Sequence, residues 1–151
     1  MPYTIDVSAT SSAPPDVIFD HLAHAEAWTV WGPFPGFVRS ARSRDGAPDP
    51  NGVGAVRRIG PAREEVVAFE PPTRYSYTML AGLPIRDYRS DVTLEPHDGG
   101  TAIRWQSRFE PKIPGTGPLF RAVLAVLVGG LARGVARHSG RCEGGCPAHS
   151  A

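Results

Sequence analysis

Residues 64–105 read EEVVAFEPPTRYSYTMLAGLPIRDYRSDVTLEPHDGGTAIRW, a run of short segments in which apolar and polar residues alternate. The segments are separated by Pro71-Pro72, Gly82-Leu83-Pro84 and Asp98-Gly99-Gly100, and Gly60-Pro61 precedes the run. Alternation with a period of two predicts β-strands, and connections this short favour an antiparallel meander. The wider region over residues 38–111 is therefore predicted to form one sheet.

Pairing the predicted strands across these turns assigns each side chain to a face of the sheet, because directly opposed residues share a face. The predicted pairs are Arg57 with Glu64, Val66 with Tyr77, Ala68 with Tyr75, Tyr77 with Tyr88, Met79 with Arg86, Val92 with Trp105, and Leu94 with Ile103. One face then collects mostly apolar residues, namely Arg57, Glu64, Val66, Tyr75, Tyr77, Met79, Arg86, Tyr88, Val92, Leu94, Ile103, Trp105 and Phe109. The opposite face is strongly polar, so the apolar face must be covered.

The predicted cover is a helix over residues 118–137. Its apolar residues recur near helical spacing and are Leu119, Val123, Val126, Leu127, Leu131 and Val135. Gly129-Gly130 lies inside it, which calls for a kink or the close approach of a ligand or strand, or else reflects tight packing on the sheet. Residues 138–151 have no apolar periodicity and are predicted to be a flexible tail after a ligand-binding domain over residues 1–137.

The N-terminal part predicts a strand near residues 3–8, a helix from Pro14-Pro15-Asp16 to Leu22, and a second short helix within residues 23–30. The segment over residues 28–37 is rich in aromatic residues but is interrupted by Gly and Pro. It predicts a compact loop that packs its rings and could act as a pocket lid.

Composition and charge exclude several classes of partner and location for this protein. The 151 residues carry a net charge of +1, so no excess of positive charge is available for nucleic acid, and no partner of that kind is expected. The N-terminus lacks a secretory signal, which predicts a cytoplasmic location. The apolar stretch over residues 119–128 is too short to span a bilayer, so stable membrane insertion is not expected.

Several short motifs resemble the START-like (SRPBCC) superfamily, in its polyketide cyclase/dehydrase and lipid-transport branch. They are Ala13-Pro14-Pro15-Asp16-Val17-Ile18-Phe19, the segment over residues 28–31, Gly52-Val53-Gly54-Ala55-Val56-Arg57, the segment over residues 64–72, Arg74-Tyr75-Ser76-Tyr77 and Gly100-Thr101-Ala102-Ile103-Arg104-Trp105. The resemblance implies an α+β helix-grip fold. In that fold, a curved antiparallel sheet of about seven strands wraps a long C-terminal helix, and two short helices follow strand 1.

The resemblance also implies a hydrophobic or aromatic small-molecule ligand, lipid-like or polyketide-like, held between sheet and helix. Apolar walls with a few polar groups suit such a pocket. The candidate ligand-binding residues are Trp31, Phe34, Arg57, Glu64, Tyr75, Tyr77, Arg86, Tyr88, Trp105 and Phe109. Arg57 and Glu64 fit two interpretations, a structural ion pair or a pocket arginine held in place to bind a carbonyl, enolate or carboxylate.

Two other functions stay open. A polyketide cyclase/aromatase would use Arg57 or Arg86 to stabilise an enolate, with Tyr77 or Tyr88 as proton donor. A protein-interaction module would act through the loop over residues 31–37.

No phosphate-binding loop or nucleophile motif is present in the sequence, so no cofactor is expected. His138, Cys142, Cys146 and His149 are zinc-compatible side chains at close spacing, but the surrounding stretch is rich in glycine. They are interpreted as tail residues, and no metal site is predicted.

Overall fold

The computed structural model describes residues 2–31 and 40–141. The strands are β1 (Tyr3–Ser11), β2 (Ser40–Arg44), β3 (Val56–Ile59), β4 (Ala62–Glu70), β5 (Arg74–Ala81), β6 (Ile85–His97) and β7 (Gly100–Pro111). The helices are α1 (Pro15–Ala23), α2 (Trp28–Trp31) and α3 (Gly117–Arg141), with a 3₁₀ turn at Ala25–Ala27. The seven strands form one antiparallel sheet in the order β1-β7-β6-β5-β4-β3-β2, which confirms the predicted helix-grip α+β fold.

Most of the predicted cross-strand register is confirmed. The structure pairs Arg57 with Glu64 and Val66 with Tyr77, and on the longer strands it pairs Val92 with Trp105 and Leu94 with Ile103. Trp105, Tyr77 and Tyr88 are all buried, as the face assignment predicts.

Three of the predicted pairs between β4 and β6 were wrong. Ala68 lies opposite Ser76 rather than Tyr75, because a bulge between Val66 and Ala68 adds a residue to β4. Tyr77 lies opposite Ser90 rather than Tyr88, a slip of two residues that leaves both tyrosines on the inner face. Met79 pairs with Glu64, not with a residue of β6.

Arg86 was assigned to the inner face, and this was wrong. Between Arg86 and Arg89 three steps along β6 match two steps along β7, and Asp87 within this irregularity has a φ of 53°. One extra residue turns the preceding side chain to the other face of a strand. The Arg86 side chain is therefore 62% exposed, and it lies 3.9 Å from the carboxylate of Glu110.

Helix α3 covers the inner face of the sheet with a different stripe from the predicted one. Leu124, Val128, Leu131 and Val135 are buried in a single hydrophobic core, whereas Leu119, Val123 and Val126 are 62%, 54% and 72% exposed. Apolar residues surround the first half of this helix, so their spacing does not define one buried face. Leu131 and Val135 are the predicted members that are buried.

Helix α3 also runs through Arg141, four residues beyond its predicted end, and Ser139 in this last turn is buried. Residues 138–141 thus belong to the helix, while residues 142–151 lie outside the described residues.

Helix α3 packs closely against α2 at Gly134. A β-carbon at Gly134 would collide with the carbonyl oxygen of Trp31, so α3 approaches the backbone of α2. The atoms nearest to a β-carbon at Gly129 would be those of the flexible Arg133 side chain, at 3.1 Å. A glycine is therefore required for close packing at Gly134.

Candidate ligand-binding site

The end of α1 anchors one wall of the interior. The last carbonyl groups of a helix have no partner within the helix and must be satisfied from outside. The indole N–H of Trp31 donates to the carbonyl of His21 at 3.1 Å, and that of Trp28 donates to the carbonyl of Leu22 at 2.9 Å. Both tryptophans are thereby fixed with their rings against the sheet.

Arg57 reaches the same helix end from β3. Its Nη1 donates to the carbonyl of Leu22 at 3.2 Å and to the hydroxyl of Tyr75 at 2.7 Å, and its Nη2 lies 3.3 Å from Glu64. The centre of its guanidinium lies 4.1 Å from the ring centre of Trp28, 5.0 Å from that of Tyr75 and 4.6 Å from that of Tyr77. Three ring faces and a helix C-terminus stabilise this buried cation in addition to the carboxylate.

Burial controls the electrostatics of this wall. Desolvation raises the pKa of Glu64 above its usual value, although the charge of Arg57 and its hydrogen bond act in the opposite direction. Burial likewise raises the pKa of Tyr75 to about 12, again opposed by Arg57. Burial also raises the pKa of Tyr77 and Tyr88. The three phenols therefore stay protonated at neutral pH and can donate hydrogen bonds.

A cluster of hydroxyl groups lies beside these tyrosines. Ser90 and Ser107 face each other across β6 and β7, with their oxygens 2.6 Å apart, and both are buried. Ser90 also donates to the Tyr88 hydroxyl at 2.9 Å, and that hydroxyl lies 3.4 Å from Ser107. This places an interconnected polar group on an otherwise apolar face.

Two buried N–H donors on this wall have no acceptor among the described residues. They are Nε of Arg57 and Nε1 of Trp105, and both residues are almost fully buried. The two side chains flank Trp28, whose ring centre lies 5.8 Å from that of Trp105. A buried donor without a partner is costly, so each of these groups favours an acceptor oxygen beside it.

The structure gathers most of the predicted site residues into this interior. Trp31, Arg57, Glu64, Tyr75, Tyr77, Tyr88, Trp105 and Phe109 are buried. Phe109 lies at the β1 side, where its ring stacks on Tyr3 with centres 5.6 Å apart. Arg86 is outside the interior, and Phe34 lies outside the described residues.

Sequence reasoning missed three residues of this wall: Trp28, Ser90 and Ser107. The period of two along β6 and β7 places both serines on the inner face, and a polar residue at such a position is the signal that could have found them. Trp28 lay within the aromatic segment predicted to form a loop or lid, but the hydrogen bond that orients it depends on where α1 ends.

The interaction-module hypothesis relied on an exposed loop beginning at Trp31. The Trp31 side chain is 3% exposed and donates to a carbonyl, so it is not available at the surface. The rest of that loop lies outside the described residues.

The outer face of the sheet differs in character from the interior. It carries two grooves of about 520 Å³ and 500 Å³, lined largely by polar and charged residues. In the first groove Asp91 accepts from Ser76, Arg74 and Arg89, and these bonds outweigh burial and lower the pKa of its carboxyl group. Such satisfied ion pairs do not suit an apolar ligand.

Metal ligands do not cluster in the described part of the chain, where no group of three or more His, Cys, Asp or Glu side chains could hold an ion. Of the four zinc-compatible residues considered from the sequence, His138 lies in α3. Cys142, Cys146 and His149 fall outside residues 2–31 and 40–141.

A curved sheet closed over a long terminal helix, with an aromatic interior that holds a few polar groups, is the architecture of START-like proteins that bind hydrophobic ligands. The chain belongs to the polyketide cyclase/dehydrase and lipid transport family, whose model matches residues 2–139. No curated relative matches the chain.

Solved structures share the fold. The crystal structure of Ara h 8.0201 is 19% identical with a TM-score of 0.70, over 92% of this chain and 98% of that one. A solution structure from Thermobifida fusca is 25% identical with a TM-score of 0.70, over 93% and 95% of the two chains. XoxI from Bacillus cereus is 14% identical with a TM-score of 0.70, over 89% and 94%.

Proposed function

We propose that the protein binds an aromatic, largely apolar small molecule that carries at least one hydrogen-bond-accepting oxygen, in the interior between the sheet and α3. The observation that carries this proposal is the pair of buried, unpartnered donors on Arg57 and Trp105 beside an aromatic wall. Apolar walls supply affinity and a few placed polar groups supply orientation. A carbonyl or phenolic oxygen would satisfy donors that the described residues leave without an acceptor.

Membership of the family supports a hydrophobic ligand, and the residues narrow its chemistry. The positive charge of Arg57 and the protonated phenols favour an oxygen rich in electron density, such as a ketone, an enolate or a phenolate.

A matched pair of ligands tests the proposal. 2-Acetylnaphthalene and 2-ethylnaphthalene have similar shape, but only the first carries a carbonyl acceptor. Because a hydrogen bond to a charged group contributes about 1.5–3 kcal/mol, we expect the ketone to bind at least about tenfold more tightly in fluorescence titration. Binding of both compounds with equal affinity, or of neither, would contradict the role assigned to the donors.

Cyclase/aromatase activity is the second candidate, favoured by the hydroxyl cluster of Tyr88, Ser90 and Ser107. Arg57 would stabilise an enolate oxygen and Tyr77 or Tyr88 would donate a hydrogen bond to it. Burial raises the pKa of both phenols, which makes them weaker acids and so poorer proton donors, and binding is therefore the better supported function. Product analysis after incubation with a poly-β-ketone mimic distinguishes the two, since a carrier releases the compound unchanged.

A further inference from the structure

The charge of the chain is divided unevenly. Residues 112–141 contain Lys112, Arg121, Arg133, Arg137 and Arg141 and no Asp or Glu. The whole chain has 16 basic and 15 acidic residues, so the remainder has an acidic excess. A basic segment on a nearly neutral protein points to an anionic partner at that segment.

Helix α3 carries apolar and basic side chains along one solvent-exposed face. Leu119, Val123 and Val126 follow helical spacing and are more than half exposed. At 3.6 residues per turn, Arg133, Arg137 and Arg141 continue the same face toward the C-terminus, and all three are exposed. We call these six residues the outer stripe of α3.

The arginines of the outer stripe are uncompensated. Within residues 2–31 and 40–141, none of Arg133, Arg137 and Arg141 forms an ion pair. The exposed leucine and valines form an apolar patch at one end of the stripe, and the unpaired arginines give its other end a positive charge.

We propose that the outer stripe docks on the surface of an anionic lipid bilayer. The apolar half would enter the boundary between headgroups and acyl chains, while the arginines reach the lipid phosphates, which is the pattern of an interfacial amphipathic helix. This surface is separate from the interior ligand site, so the proposal does not depend on the proposed function.

The helix lies on the bilayer rather than across it. By length and composition α3 could cross a membrane. Its other face, with Leu124, Val128 and Leu131, is buried in the core against the sheet, and removing it would expose that core. Docking on the surface uses only residues that are already exposed.

A second copy of the chain fits the outer stripe less well. Two stripes packed together in antiparallel fashion would bury the arginines of one copy against the valines of the other, without a carboxylate in the segment to pair with them. Burying unpaired charge is strongly unfavourable.

Vesicle sedimentation tests the proposal with the intact protein. The vesicles are phosphatidylcholine alone, or phosphatidylcholine with phosphatidylserine as a third of the lipid. We expect binding to the anionic vesicles only, weakened by salt because the attraction is screened. The double variant Arg133→Gln/Arg137→Gln should lose at least about tenfold in binding, since each basic residue near the surface contributes about 1 kcal/mol. Leu119→Ser/Val126→Ser should lose a similar factor.

Matched controls are available on the same protein. Arg58→Gln/Arg63→Gln removes two exposed arginines of β3 and β4, and Val53→Ser removes an exposed valine. Both should bind vesicles as the parent does. Equal binding to neutral vesicles, equal loss in the controls, or no binding at all would overturn the proposal. So would a concentration-dependent dimer that Leu119→Ser/Val126→Ser abolishes, because it would assign the stripe to self-association.

Discussion

The guanidinium of Arg57 and the indole of Trp28 stack at 4.1 Å and donate hydrogen bonds to one shared acceptor, the carbonyl oxygen of Leu22. The arginine is thus held by a helix end and by aromatic faces as well as by Glu64. This explains how a permanent charge is accommodated in a core where the carboxylate partner is itself strongly desolvated. The charge lies in the interior that we propose as the ligand site.

Removing either partner of the Arg57–Glu64 pair should have unequal effects on stability. Glu64→Leu leaves a buried guanidinium that cannot lose its proton, and we expect a loss of about 3 kcal/mol in urea unfolding at pH 7. Arg57→Met leaves a carboxyl group that takes up a proton readily, because its pKa is already raised, so the loss should be smaller.

Arg57→Met also tests the proposed ligand site. Arg57→Met should reduce affinity for 2-acetylnaphthalene and leave affinity for 2-ethylnaphthalene unchanged. If Arg57→Met binds both compounds as the parent does, the arginine is a structural ion-pair partner only.

Acidification should stabilise the parent protein against unfolding more than it stabilises the Glu64→Gln variant. Because burial raises the pKa of Glu64 in the folded state above the reference value of 4.5, the folded protein binds a proton more tightly than the unfolded chain. The resulting stabilisation is fully present below pH 4.5 and is lost as the pH rises through the folded pKa. Both proteins are unfolded in urea at a series of pH values from neutral downward. The free energy of unfolding of the parent should rise relative to that of the variant as the pH falls. Parallel curves would contradict the raised pKa.

Ser90 and Ser107 should be energetically coupled. Ser90→Ala removes the hydroxyl next to Ser107 and leaves it less satisfied in a buried position, at an expected cost of about 1–2 kcal/mol. The double variant Ser90→Ala/Ser107→Ala should lose less stability than the sum of the two single variants, because neither hydroxyl of the pair is then left without its partner. A double-mutant cycle in urea measures the difference. Simple additivity would mean that the serines act independently.

Gly134→Ala should destabilise the protein, although alanine normally improves a helix. A β-carbon there would collide with the Trp31 backbone and push α2 away from α3. Gly129→Ala is the matched control, since the nearest atoms would be those of the flexible Arg133 side chain, and it should gain up to about 1 kcal/mol. Thermal unfolding of both variants provides the comparison. Equal melting temperatures for the two variants would contradict the packing role that we assign to Gly134.

The meander from β2 to β7, the helical cover and most of the inner face could be predicted from the sequence, because alternation and turn residues are local signals; the pairing of β1 with β7 is non-local and was not predicted. The face of the sheet on which Arg86 lies could not be predicted. One additional residue at Asp87 moves the preceding side chains to the opposite face, and the alternation of the sequence does not indicate this irregularity. The buried side of α3 was equally hidden, because Val126 and Val128 are chemically identical and only tertiary packing separates them. Trp28 depended on a helix end that the sequence located only approximately.

The pairing of β1 with β7 has a consequence for synthesis of the protein in the cell. Tyr3 pairs with Phe109, so the first strand made has its neighbouring strand near the far end of the sheet sequence. Until about residue 111 has left the ribosome, β1 has no strand to pair with, and α3, which covers its other edge through Arg121 and Ala136, is made later still. An unpaired strand edge is a template for association with other chains. The interval between the synthesis of β1 and that of β7 is therefore the one in which a chaperone would be most useful to the nascent chain.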